Sequence, residues 1–129
     1  MIKMKLLIPT AGPVPAKEKA EYVSKLACSL DAELLVLHIV KNNDETPGLK
    51  AFKIFKNQCN KDNIKLKTLI EHGEIVPTIS KVADSENVDL IVMGASAGKI
   101  VSEWLATDIM KRSKVPIVII PMGFENLFD

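Results

Sequence analysis

The chain has 129 residues, 47% apolar and 26% charged, with a formal net charge of +1. That length fits one domain, and that composition excludes a disordered chain. The near-neutral balance offers no basic excess for nucleic acid, and the longest apolar runs, such as Ile117 to Ile120, fall far short of the roughly 18–20 residues of a membrane span. Pro9 and Pro13 interrupt the start of the chain before an apolar signal segment can form. Two cysteines, Cys28 and Cys59, are too few for a disulfide scaffold and are expected to be buried or half-buried thiols in helices. The expected compartment is the cytoplasm.

In chain order, Leu6 to Ile8 form a short apolar run that ends at Pro9. A helix follows, with Pro15 near its start and Ala20, Val23, Ala27 and Leu30 on one face. Leu34 to Val40 form the second strand, and Leu49, Phe52, Phe55 and Cys59 mark the second helix, after a polar stretch from Lys41 to Pro47 too short to link domains. Ile64 to Ile70 alternate in part and give the third strand. Ile75, Ile79, Val82 and Ala83, with Pro77 near the start, predict the third helix. Leu90 to Met93 give the fourth strand; Val101, Trp104, Leu105 and Ile109 predict the fourth helix, with Trp104 as core; and Val115 to Ile120 form the last strand. Continuous apolar runs alternating with helices predict an α/β fold, a doubly wound five-stranded parallel sheet with two helices on each face.

In such a sheet ligands bind beyond the carboxyl ends of the strands, where the strand order switches. Two loops are therefore candidates: Pro9-Thr10-Ala11-Gly12-Pro13, and Gly94-Ala95-Ser96-Ala97-Gly98-Lys99 with Ser102 in the following helix. Their small residues permit close backbone approach, and the next helix offers free N–H groups to an anion. Pro9, Thr10, Ala11, Val40, Met93, Gly94, Gly98, Lys99 and Ser102 are the candidate ligand-binding residues. The second loop is not a phosphate-binding P-loop, because three residues rather than four separate Gly94 from Gly98, and Ile100 follows Lys99 where a hydroxyl is needed. Catalytic groups are sparse. His38 is expected to be a strand residue with a hydrogen-bonded ring and His72 a solvated residue of the turn before the third helix. Neither has a partner at metal-ligand spacing, and no serine sits in a nucleophile elbow. Strand 1 ends in Pro9-Thr10-Ala11, without the acid of a magnesium-binding receiver domain or the hydroxyl-rich loop of a flavodoxin. No catalysis and no metal are expected.

Four segments carry a family likeness: KLLIPTAG, AEYVSKLACSLDAELLVLHIV, HGEIVPTISKVADSENVDLIVMGAS and VPIVIIP, in this order and spacing over nearly the whole chain. Together they resemble the universal stress protein family. The resemblance implies the strand order 3-2-1-4-5, a homodimer that pairs through the last strand, and binding of ATP or another adenine nucleotide. Pro116, Ile117, Val118, Ile119 and Ile120 are then the candidate dimer interface, with Val118 read as one of its donors. Two departures from the family pattern stand out. The glycine motif of ATP-binding members, placed from Gly94, meets Ala97 and then Thr107-Asp108; anchored on Pro116 it meets Glu103-Trp104. Ala11 occupies the position of the aspartate that contacts adenine. The expectation is a non-catalytic stress-response or regulatory binding module, with weak or no ATP binding. The alternatives are an adenine-nucleotide switch using the loops after strands 1 and 4, and an interaction protein with a vestigial cleft.

Overall fold

Eight elements follow one another in the described residues: β1 (Met4–Pro9), α1 (Pro13–Leu30), β2 (Ala32–Val40), α2 (Thr46–Asp62), β3 (Leu66–His72), α3 (Ile75–Ser85), β4 (Leu90–Gly94) and β5 (Ile117–Ile120). The structure is a computed structural model and describes residues 3–40, 42–94 and 111–120. All strand pairs are parallel and the order is β3-β2-β1-β4-β5, as the resemblance implied.

The direction of travel across the sheet decides where the helices lie. From β1 to β2 to β3 the chain moves toward one edge, and right-handed crossovers put α1 and α2 on the same face. From β3 the chain returns past β1 to β4, so α3 covers the other face. Each face has its own core. Leu6, Ile8, Leu34, Val36 and Val92 meet Ala16, Val23 and Ala27 of α1 and Ala51 and Phe55 of α2. Leu7, Leu35, Leu37 and Ile91 meet Val76, Ile79, Val82 and Ala83 of α3. Adjacent strand residues thus supply opposite cores, which is why β1 and β2 read as unbroken apolar runs. The predicted fourth helix at Val101, Trp104, Leu105 and Ile109 lies outside the described residues.

Several expected boundaries move. β3 begins at Leu66 rather than Ile64, and His72 is its exposed last residue rather than part of a turn. The turn is made by Gly73, whose φ of +133° suits glycine. β5 is shorter than expected, starting at Ile117. In α2 the buried stripe is Gly48, Ala51, Phe55 and Cys59; Leu49 is 55% exposed and Phe52 only partly buried. In α1, Leu30 faces solvent, and Cys28 is exposed, contrary to expectation, whereas Cys59 is buried. Both outliers occupy the last turn of α1. α1 and α2 stop at Asp31 and Asn63, which adopt the left-handed conformation that short polar side chains tolerate.

Candidate functional site

The loop after β1 is held by long-range bonds rather than by its own turn. Thr10 N–H donates to Leu37 O on β2 at 2.9 Å, and Thr10 Oγ1 donates to Gly12 O at 3.3 Å. His38, buried in β2, donates from Nδ1 to Thr10 O at 2.9 Å, as expected of a hydrogen-bonded strand residue. A carbonyl only accepts, so the ring carries its proton on Nδ1. The start of α2 lies over this ring. A Cβ added to Gly48 would sit 2.4 Å from His38 Cδ2, so only glycine allows the helix to approach this closely. Gly12 is different: its backbone is extended and an added Cβ would make an ordinary 3.5 Å contact with Pro47.

One residue at this site escapes the sequence reading. Lys19 lies in the second turn of α1, between Ala16 and Val23 on the apolar stripe, and is only 5% exposed. Its Nζ donates to Pro9 O at 3.3 Å. Burial pulls its pKa down to about 8, against a small opposing pull from Glu18. The available signal was a lysine at i+3 from Ala16, next to Ala20, on a stripe otherwise made of small apolar residues.

β1 and β4 pair only through Leu6 with Leu90 and Leu7 with Ile91. Pro9 has no N–H with which to continue that ladder. β1 remains paired with β2 up to Pro9 and Leu37, and the carboxyl ends of β1 and β4 stand side by side at the topological switch point. Pro9 is half-buried, Thr10, Val40 and Met93 are buried, Ala11 is exposed, and Gly94 ends β4 half-buried. The pleat divides them. Val40 shares the α1/α2 side with His38, whereas Met93 packs into the α3 core. Gly98, Lys99 and Ser102 lie outside the described residues.

The proposed interface is the edge strand β5. Ile91 N–H donates to Pro116 O at 3.0 Å, so Pro116 and, by alternation, Val118 and Ile120 turn their backbone groups toward β4. The outward donors therefore belong to Ile117 and Ile119, which corrects the reading of Val118. Ile119 is 47% exposed, and an apolar groove of about 240 Å³ runs beside it, lined by Ser113, Val115, Pro116, Ile117 and Ile119.

With this geometry in hand, comparison with known proteins is decisive about ancestry. The profile of the universal stress protein family matches residues 4–121. The chain belongs to the universal stress protein family. A curated relative, universal stress protein Sll1654 of Synechocystis, is 26% identical, the match covering 90% of this chain and 84% of that protein. Among solved structures, a universal stress protein in complex with cAMP superposes with a TM-score of 0.76 at 15% identity, covering 95% of this chain and all of that one. The universal stress protein of Archaeoglobus fulgidus in complex with dAMP gives 0.73 at 16% identity, covering 92% and 98%. At these identities the structural likeness is one of fold.

Proposed function

We propose that this universal stress protein is a non-catalytic regulatory module of the cytoplasm, a homodimer whose switch-point crevice takes an adenine mononucleotide and holds ATP weakly or not at all. The observation that carries this reading is the strand order, which sets the carboxyl ends of β1 and β4 side by side at the switch point where a doubly wound fold admits a ligand, with their ladder ending at Leu7 and Ile91. The cAMP and dAMP complexes of its structural neighbours support an adenine mononucleotide. Ala11 and the altered glycine spacing after Gly94 argue against ATP, since each lost charge-assisted hydrogen bond costs about 1.5–3 kcal/mol. Absence of catalysis is supported by the state of the reactive groups. His38 is fixed on Thr10 O, His72 stands at the end of β3 beside Glu45, and burial pushes the Cys59 thiol up to about 11, where it is a poor nucleophile.

Calorimetric titration with AMP, ADP and ATP, with and without magnesium, tests the reading. AMP should bind measurably and ATP more weakly. A low-micromolar ATP dissociation constant overturns it. A second reading, an interaction protein with a filled cleft, is favoured by the burial of Thr10, Lys19, His38 and Val40, with the start of α2 lying on the His38 ring. It stands if no nucleotide binds at millimolar concentration.

A further inference from the structure

Lys19 is a cation buried on an apolar stripe, and among the described residues its ammonium is bonded to a single carbonyl. Its ammonium carries three hydrogens. One is committed, at 3.3 Å, to a neutral carbonyl. Among the described residues no carboxylate makes salt-bridge contact with it: Glu18 attracts it only through space, and Glu21 pairs with Lys25. A charge placed in a dry site without a counter-charge is costly, and such costs persist where a ligand offsets them.

The direction of the bonded carbonyl locates the ammonium. Thr10 N–H points to Leu37 O on β2. The Pro9–Thr10 peptide is trans, so its carbonyl points the opposite way, toward β4. Lys19 Nζ, donating to that carbonyl, therefore stands on the β4 side of β1, just beyond the last rung at Leu7 and Ile91. This is the carboxyl-end switch point between β1 and β4. The helix terminus nearby is a weak anion seat, because Pro13 and Pro15 remove two of the N–H groups of the first turn and the Ala16 N–H is taken by Gly12 O. Lys19 is thus the positive group that the β1 side of the crevice offers.

We propose that Lys19 is the anion-selecting residue of this crevice, its ammonium taking the phosphate of the bound mononucleotide. The proposal rests on the mononucleotide reading above, and the experiment separates the two. The full chain, Lys19→Met, Lys19→Gln and the control Lys17→Met, which removes an exposed charge from the same helix, are titrated with AMP and adenosine, and their thermal midpoints are recorded with inorganic pyrophosphate. In the wild type and in Lys17→Met, AMP binds at least about tenfold more tightly than adenosine, the difference expected of one charge-assisted contact. In both Lys19 variants the difference falls to within about twofold while adenosine affinity is kept. A Lys19 variant that retains the full preference for AMP overturns the proposal, as does a wild type that binds adenosine as tightly as AMP; either leaves the nucleotide reading standing. If neither nucleoside nor nucleotide binds, a thermal response to pyrophosphate that depends on Lys19 sustains the anion site and removes the adenine reading. Absence of that response as well overturns both.

Discussion

At the scale of single residues, burial and charge conflict most at Lys19. Its pKa near 8, against 10.5 for a free lysine, means that between those values the unfolded chain holds a proton that the folded chain has released. Stability therefore rises with pH across that window, and the cost is fully present below pH 8. The shift corresponds to about 3 kcal/mol. Lys19→Met keeps the volume, loses one long hydrogen bond and removes the buried charge. It should be more stable than wild type at pH 7 by about 1–3 kcal/mol, and that advantage should shrink as pH rises from 8 to 10.5. Denaturant unfolding at a series of pH values checks this, and a less stable variant at pH 7 would show that the ammonium holds the β1 loop more strongly than its burial penalises it. Gly48 is the opposite case, a residue whose lack of a side chain lets the start of α2 lie on the His38 ring.

At the scale of elements, a polar contact inside an apolar seam ties α1 to α2. Ser24, fully buried on α1, donates to Asp62 Oδ2 at 2.6 Å, and Gln58 Nε2 donates to the same oxygen at 2.9 Å. These two hydrogen bonds, the serine first, hold the Asp62 carboxyl below its ordinary value. The contribution is fully present above the ordinary carboxylate pKa and is lost as pH falls through the lower folded-state value. Asp62→Asn should be less stable than wild type at neutral pH, and the two stability curves should converge as both are taken below pH 4. Parallel curves down to pH 2 would mean that the carboxylate does not tie the helices. At the amino-terminal end of the sheet a similar group of contacts fixes α3: Lys5 Nζ donates to Glu86 O, Lys5 N–H donates to Asp89 Oδ2, and Lys67 pairs with Glu86, whose carboxyl is held below its usual range.

At the scale of the whole molecule, the two sheet edges differ. β3 carries Lys67, Glu71 and His72, the polar residues that keep an edge from pairing. β5 is apolar throughout, presents Ile117 and Ile119 N–H outward, and borders the groove that includes Val115 and Pro116. A second copy paired on β5 would satisfy both the donors and the apolar groove in a closed, isologous arrangement. Sedimentation should give a dimer at micromolar concentration, and Ile119→Pro should weaken it at least about tenfold by deleting an outward donor while sparing the ladder to β4. A monomeric wild type, or an Ile119→Pro dimer of undiminished affinity, counts against pairing on this strand.

The sequence by itself determined the elements and their faces. Short unbroken apolar runs at Leu6 to Ile8 and Leu34 to Leu37, too short for helices, read as strands covered on both sides, and the 3.6-residue stripe through Val76, Ile79, Val82 and Ala83 as a helix laid on one of them. It also pointed to the carboxyl ends of β1 and β4, because alternation of strand and helix leaves a doubly wound sheet one switch point. Tertiary structure decided which residues meet there. Lys19 and Pro9 are ten positions apart and meet because α1 folds back over β1; His38 and Thr10 are 28 apart and meet because the crossover through α1 lays β2 beside β1. The parity of the β5 backbone was likewise illegible, since the sequence does not say whether Val118 or Ile119 turns its N–H to β4. Periodicity reports the face on which a side chain lies, a local property of the backbone; the partner it finds depends on the path of the chain between the two.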